Sequence, residues 1–562
     1  MWFKKRGWRN LEIAPEEIFL DASNPMLDHS RFEGRLETPL ERQSFLYLGI
    51  TLTLLFLVLV ARGWYLEVAQ GNTYATQSEH NGLATTPLFA PRGVIMDTNG
   101  VVVAENTQTD DGSLRRSYPY PSLSQVLGYV SYPKKDTSGN YYDTDQKGVT
   151  GLEAQFNSRL TGQNGKLLIE TDALGHVRSQ GSVVPAVEGQ SLKISLDADL
   201  QEKFNTAIAD IVTSKHFLAG SGVVMDVHSG AVRAIVSYPT YDSNVMTNGG
   251  PSELISAYNR DPAHPFLDHA VQGVYTPGSI VKPLVSIGAL TDHVITGDTV
   301  INDPGSISVA DPYHPGKNFV YNGWKALGPV DVKKAIAWSS DVFFYTVGGG
   351  FKSQPGLGIG RLDYWYQAFG LGTTTNIGLP GESAGVIPSP AWKTVTFNEQ
   401  WYLGDTYFTA IGQYGMQVTP IQMARAVTAI ANGGKLFNPT VIADQIAPFT
   451  RVPIDSAQLP LVHAGMRMSV TSALAQALNV PYVSVAAKTG TAQTGVKNQY
   501  DNSWVIGFFP YDNPQYAFSV VLERGPSGTG EQAVNVMRNL LDSLYVEHSP
   551  YVGGSGSTTA SR

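Results

Sequence analysis

Tyr275-Thr276-Pro277-Gly278-Ser279-Ile280-Val281-Lys282-Pro283 is the stretch of this 562-residue chain from which the rest is read. Pro277-Gly278 is turn chemistry, and the residues after it are expected to open a helix. Ser279 then sits near a helix N-terminus, with Lys282 three residues on along the same face. A serine in that position meets the positive end of the helix dipole and unsatisfied backbone N–H groups. A lysine one turn away can accept the hydroxyl proton once its surroundings have discharged the ammonium. The bland reading is a helix cap beside a solvated lysine. Ser131-Tyr132-Pro133-Lys134 has the same spacing, in a Tyr/Pro-rich stretch that reads as loop.

Two later motifs set Ser279 apart. Ser339-Ser340-Asp341 and Lys488-Thr489-Gly490-Thr491 follow it in that order. A Ser-x-x-Lys, a Ser-x-Asn/Asp and a Lys-Thr-Gly in sequence are the marks of the penicillin-recognising serine acyltransferases.

The pattern around these motifs is α+β. Ser191 to Asp197 alternates like a strand, and an amphipathic helix is expected from Asp199 to about Lys215. Gly220–Val224 and Gly230–Ser237 read as a hairpin around His228-Ser229-Gly230. Pro420 to Asn432 has helical apolar spacing and ends at Gly433-Gly434. Phe508-Phe509-Pro510 and Tyr516–Glu523 read as strands, and a last helix is expected from about Gly530 to Tyr545. Strands at both ends with helices between them imply an antiparallel sheet flanked by helices. The Lys488–Thr491 strand is expected at a sheet edge, where an extended peptide can add a strand.

The formal net charge of −9 and the lack of a basic stripe argue against nucleic acid as a partner. There is no cysteine, so neither a disulfide framework nor a thiolate metal site exists. Residues 1–44 are polar and read as a cytoplasmic tail. Phe45 to Ala61 runs without a charge, about 25 Å of helix, enough to cross a bilayer core. Trp64 and Tyr65 follow as an interfacial belt would. A buried core helix would show a polar face, and a cleaved signal peptide would not follow so long a tail. Lys4, Lys5, Arg6, Arg9, Arg31, Arg35 and Arg42 precede the span, and no Lys or Arg occurs between Arg62 and Arg92. The N-terminus is therefore expected in the cytoplasm and the bulk of the chain outside. The expected division is a tail at 1–44, a membrane helix at 45–62, a small mostly-β pedestal at 63–189, a catalytic domain at 190–549 and a flexible tail at 550–562. Within the pedestal, Gly93 to Asn106 reads as a hairpin around Asn99-Gly100, Gly148 onward as a short helix ending near Gly162, and Gly165–Thr171 as a strand.

On these residues the chain resembles a class B penicillin-binding protein. The flanks agree: Asp226-Val227-His228-Ser229-Gly230, Gly412-Gln413 with Val418-Thr419-Pro420, Trp504 to Pro510, Arg92–Asn106 and Gly151-Leu152-Glu153. Asp341 in the second motif, Leu379 to Gly385 and Pro388 to Lys393 are similar to the elongation (rod-shape) branch rather than the septal one. The resemblance implies a penicillin-binding transpeptidase domain of the serine β-lactamase-like fold, acting as a D,D-transpeptidase on peptidoglycan stem peptides ending in D-Ala-D-Ala. Ser279 would attack the penultimate D-Ala carbonyl with Lys282 as base. Ser339 would relay a proton to the leaving amine, positioned by Asp341, and Lys488 would supply positive charge. Thr489 or Thr491 would bind the substrate carboxylate, Gly490 would let the substrate backbone approach, and the N–H groups of Ser279 and Thr491 would form the oxyanion hole. No cofactor is implied.

β-Lactams are expected to acylate Ser279 and remain there. Between Ser339 and Lys488 the only glutamates are Glu382 and Glu399, and neither sits in the Glu-x-x-Leu-Asn motif of a hydrolase. The pedestal is too short to include a glycan polymerase, so the resemblance implies a separate SEDS-type membrane polymerase as partner, with other elongation-complex proteins. Relatives insert a head between Arg92–Asn106 and the segment near Tyr118; here only Thr107 to Ser117 fills that gap. Asp303, Asp311 and His314 form a weak candidate metal site in a polar loop. A septal transpeptidase, a D,D-carboxypeptidase and a non-catalytic penicillin-binding subunit are the competing readings; the last would be expected to have lost a motif.

Overall fold

The computed structural model describes residues 42–71, 83–109, 113–137, 141–171, 177–311, 314 and 316–553. The tail at 1–41 and the C-terminal segment from 554 lie outside them. The chain divides into two units, residues 1–84 with 169–180 and residues 85–168 with 181–562.

The first unit holds the apolar helix Arg42–Trp64, continued by one π-helical turn over Tyr65–Ala69. Phe45–Ala69 is the one helix among the described residues long and apolar enough to cross a membrane, and none of it is buried. Thr51 and Thr53 donate their hydroxyls to the carbonyls of Tyr47 and Gly49, so both threonine side chains are satisfied within the helix, as a bilayer would require.

In the second unit, the pedestal is built on a four-stranded sheet ordered Leu192–Lys193, Ile95–Met96, Val102–Gln108, Leu114–Ser117. The hairpin expected around Asn99-Gly100 is present, with Asp97 accepting the N–H groups of Asn99 and Val101. The gap from Thr107 to Ser117 closes as a second hairpin, pairing Gln108 with Leu114 and Glu105 with Ser117. The expected single helix after Gly148 is two short pieces, Gly151–Gln155 and Asn157–Leu160. Gly165–Thr171 is a strand as read.

A buried ion triad ties these pieces together. Arg92 Nε lies 2.6 Å from Glu153 Oε2 and Arg116 Nε 2.7 Å from Glu153 Oε1, with all three side chains fully buried. The Tyr118 hydroxyl donates to the same carboxylate at 3.2 Å. A carboxylate that far from water needs this much compensation.

At the join, Leu192–Lys193 pairs in parallel with Ile95–Met96 of the pedestal, while Ser195 and Asp197 donate their N–H groups to Val441 and Arg233 of the catalytic core, so Ser191–Asp197 is shared between the two. The first element of the core is the helix Ala198–Lys215, capped by Asp197, whose carboxylate accepts the N–H groups of Asp199 and Leu200.

The core sheet has five antiparallel strands in the order Val232–Tyr238, Ala219–Asp226, Tyr516–Pro526, Tyr500–Phe509, Ala486–Thr494. Strand alternation sends Ala486, Trp504, Ile506 and Phe508 into one core and Ala487, Val505, Phe509 and Phe518 into another. The first core packs against the helices Lys282–Thr291, Asp341–Gly349 and Pro420–Ala431, the second against Ala198–Lys215 and Ala533–Val546. The sheet is thus covered on both faces, and Ala486–Thr494 is one of its two edge strands, as the reading of the Lys488 motif expected.

Candidate active site

Ser279 lies in a 3₁₀ turn, Gly278–Val281, that leads into the helix Lys282–Thr291. Three glycines let this turn form. Gly278 has φ +58°, and a Cβ on it would sit 2.9 Å from the Thr491 carbonyl oxygen. Gly412 has φ +75°, and its Cβ would come within 2.2 Å of the Gly278 oxygen, while Gly278 N–H donates to the Gly412 carbonyl at 2.9 Å. A Cβ on Gly490 would lie 2.9 Å from Ile280 Cγ2 and 3.1 Å from the Pro277 oxygen. Gly490 therefore admits the backbone of the Ser279 turn. The same contacts bring the backbones of Ser279 and Thr491 together.

The start of the nonapeptide is held by Val418 and Trp504, from two of the flanking segments, and by His269, which no motif pointed to. Tyr275 exchanges both backbone hydrogen bonds with Val418, and its hydroxyl lies 2.6 Å from His269 Nδ1. Trp504 Nε1 donates to the Thr276 carbonyl at 3.1 Å. Burial pushes the His269 imidazole down to about 4 and raises the Glu523 carboxyl that faces it and Tyr275.

Lys282 is wholly buried. Its Nζ reaches Asp341 Oδ1 at 2.7 Å, the Ser339 carbonyl at 2.8 Å and Ser339 Oγ at 3.1 Å. All three ammonium donors are therefore taken, and among the described residues the Ser279 hydroxyl has no hydrogen bond to it. Asp341, expected to polarise or position the Ser339 relay, ion-pairs with Lys282. Lys488 Nζ donates to Ser339 Oγ at 3.0 Å and to the Thr489 carbonyl at 2.6 Å. One serine oxygen thus lies between two buried lysines. Burial first, and then the charge of Lys282, bring Lys488 down to about 7. Burial also lowers Lys282, against the opposing pull of Asp341. A second positive charge on the same oxygen is unfavourable, so Lys488 is the lysine that gives up its proton first.

Ser339 takes a left-handed backbone, φ +57°, between the helices Val332–Ala337 and Asp341–Gly349. That conformation is uncommon for a non-glycine residue and has to be held by its surroundings. Ser340 holds it: its hydroxyl caps the second helix by accepting Phe343 N–H at 3.1 Å and donates to Asp303 Oδ2 at 2.5 Å. Asp303 is buried and also accepts Gly305 N–H at 2.8 Å. Asp311 and His314 meet at 2.8 Å, but Asp303 is engaged with Ser340, and no group of three metal-ligating side chains occurs among the described residues.

Thr489 is wholly buried, whereas Thr491 is half-buried at the strand edge. Thr491 can therefore meet a ligand directly, and Thr489 cannot without movement. Glu382 accepts the N–H groups of Thr375 and Asn376 in its own loop, and Glu399 faces Lys393 at 3.5 Å. Glu531, which the sequence reading passed over, has a buried Oε2, and burial raises its carboxyl. It stands alone after Gly528 and Gly530, with no spacing that could have flagged it.

Residues 220–542 match the family described as the penicillin binding protein transpeptidase domain, and residues 110–194 match the penicillin-binding protein dimerisation domain. The chain is 31% identical to the peptidoglycan D,D-transpeptidase MrdA of Escherichia coli K12, over 89% of this chain and 93% of that protein. It is 29% identical to the protein of the same name from Haemophilus influenzae, over 90% and 92%. Among solved structures it is similar to PBP2 of Pseudomonas aeruginosa in complex with WCK 5153, with TM-score 0.69, 28% identity and 85% of this chain against 100% of that one. PBP2 of Helicobacter pylori in complex with MreC gives TM-score 0.69 and 25% identity, over 83% and 99%. A chain from a peptidoglycan synthase complex that coordinates polymerization and crosslinking gives 0.70 and 25%, over 92% and 100%.

Proposed function

The chain belongs to the class B penicillin-binding proteins and is a peptidoglycan D,D-transpeptidase of the elongation type, and we propose that Ser279 is its nucleophile. The observation that carries the assignment of roles is the position of Ser339 Oγ between Lys282 and Lys488. The donor is a stem peptide ending in D-Ala-D-Ala, laid along the edge strand Ala486–Thr494.

Proton movement follows from the hydrogen bonds. Lys282 passes a proton to Ser339 Oγ, Ser339 passes its own to neutral Lys488, and Lys282 accepts the proton of Ser279. The Ser279 oxygen then bonds to the carbonyl carbon of the penultimate D-Ala. The N–H groups of Ser279 and Thr491 hold the developing oxyanion, where one donor is commonly worth about 10²–10³ in rate. Lys488 returns its proton through Ser339 to the amide nitrogen, the C–N bond breaks, and the terminal D-Ala leaves. An acceptor amine then attacks the acyl-enzyme, and Ser279 recovers its proton from that amine by the same relay. Thr491 and Lys488 receive the donor carboxylate.

β-Lactams acylate Ser279 and persist, since Glu382 and Glu399 are both engaged elsewhere. The helix Phe45–Ala69 anchors the protein with its N-terminus in the cytoplasm and the catalytic domain outside, supported by the basic residues ahead of the span. Its partners are a SEDS-type membrane glycan polymerase and other elongation-complex proteins; relatives found with MreC and in a synthase complex support this.

Fluorescent penicillin offered to residues 66–562 and to the Ser279→Ala variant tests the reading. A stable adduct on the parent alone is expected. Labelling that persists in the variant would assign the nucleophile to another side chain.

A further inference from the structure

His269 and Tyr275 are both buried. His269 Nε2 lies 3.0 Å from the Ala263 carbonyl oxygen. A carbonyl can only accept, so Nε2 carries the hydrogen of the neutral ring and Nδ1 is left with a lone pair. The ring is neutral in the working range because burial holds it down to about 4. The Tyr275 hydroxyl therefore donates to Nδ1, at 2.6 Å. Glu523 Oε2 faces the same nitrogen at 3.6 Å.

The histidine is itself fixed from the side of the sheet away from the Lys488 motif. Its backbone N–H donates to Ser237 Oγ at 2.8 Å, and that hydroxyl donates to the Leu267 carbonyl at 3.0 Å. Ser237 belongs to Val232–Tyr238, the edge strand opposite to Ala486–Thr494. Gly273 lets the loop between His269 and Tyr275 close over the hydroxyl, since a Cβ there would sit 2.5 Å from the Tyr275 oxygen.

Tyr275 stands four residues before Ser279. Its ring meets Trp504 edge-on, with centroids 6.1 Å apart, and Trp504 in turn donates to the Thr276 carbonyl. The backbone bonds to Val418 fix where the chain enters the turn. The hydroxyl fixes the rotation of the ring, and with it the indole that holds Thr276. A reacting group has to be held to within about 0.5 Å of its productive place, by neighbours that are themselves locked.

We propose that His269 is a positioning residue: its Nδ1 holds the Ser279 turn in place for acylation through the Tyr275 hydroxyl, while its Nε2 serves the fold alone. The inference rests on Ser279 as the nucleophile.

Substitution separates the two nitrogens. In His269→Asn the amide oxygen takes the place of Nδ1, and nothing reaches Ala263. In His269→Gln the amide nitrogen takes the place of Nε2, and nothing accepts from Tyr275. Stopped-flow acylation of full-length protein in detergent by benzylpenicillin gives the acylation rate constant and the dissociation constant of the preceding complex separately. His269→Gln and Tyr275→Phe are each expected to lower the rate constant about tenfold, the order of one lost hydrogen bond, with the dissociation constant within about twofold of the parent. The double variant is expected to be no slower than either, because both remove the same contact. His269→Asn is expected to melt lower than the parent yet to recover the rate constant to within about threefold. Equal losses for the Asn and Gln variants, or a loss confined to the dissociation constant, would overturn the positioning role. Should His269→Gln fail to fold, Tyr275→Phe removes the hydroxyl alone, and an unchanged rate constant there overturns the proposal. If the parent itself takes no penicillin on Ser279, the catalytic assignment fails and this inference with it. A labelled parent with equal losses in both variants overturns the inference alone.

Discussion

Ser340 Oγ donates to Asp303 Oδ2 at 2.5 Å, across 37 residues of chain. Through this bond a buried carboxylate holds the middle residue of Ser339-Ser340-Asp341, and with it the left-handed backbone of Ser339. Asp303→Ala would leave a buried hydroxyl without its partner, at about 1–3 kcal/mol. The melting temperature and the penicillin acylation rate are both expected to fall, and a chelator is expected to change neither in the parent. A chelator-sensitive acylation rate would return Asp303 to the metal reading.

Lys488 sets a pH dependence with a definite sign. Its native value is about 7 against an ordinary 10.5, so between those values the unfolded chain binds a proton that the native protein does not. Stability from this group accordingly rises with pH across that window, at about 1.4 kcal/mol per unit, and the cost is fully present below it. Unfolding measured from pH 7 to 10 is expected to show this slope for the parent relative to Lys488→Met. In the same direction, acylation of the parent is expected to rise as pH climbs through about 7, because the relay needs neutral Lys488.

Gly490→Ala tests what the glycine of the third motif is for. Its Cβ would press on Ile280 and on the Pro277 carbonyl, and overpacking of this kind costs about 1–3 kcal/mol. Because the strain falls on the Ser279 turn, acylation is expected to drop more than tenfold, by the order of a single misplaced catalytic group, with substrates of any length. Were Gly490 there only to admit substrate backbone, the loss would appear in substrate binding, with stability unchanged.

Glu153→Ala would leave Arg92 and Arg116 buried without their shared carboxylate. A loss of about 3–5 kcal/mol is expected, since an uncompensated buried charge remains. Thermal unfolding measures it, and Glu153→Gln is expected to recover only part. A variant that melts with the parent would mean that the triad contributes nothing net to the pedestal.

Local signals in the sequence were enough for the catalytic motifs and most of the elements around them. Ser279 with Lys282, the turn before them, the hairpin around His228 and the capped helix at Pro420 each involve residues within one or two turns of each other, where dihedral preference and side-chain spacing act. The elongation-type assignment also rested on short runs, and the apolar span at Phe45–Ala61 declared itself by composition alone.

What only the folded chain decided lies between distant residues. Lys282 reaches Asp341 across 59 residues, and Lys488 reaches Ser339 across 149. Which neighbours Thr489 and Gly490 meet was decided in the fold, because a strand sends alternate side chains to opposite faces and the elements packed on each face set what they touch. Gly490 faces the Ser279 turn, Thr489 is wholly buried, and Asp341 reaches Ser339 only through Lys282. Ser191–Asp197 likewise alternates as a strand in sequence, but backbone hydrogen bonds carry no label for their partner, and only the folded chain shows Leu192–Lys193 joined to the pedestal sheet and Ser195 to the core.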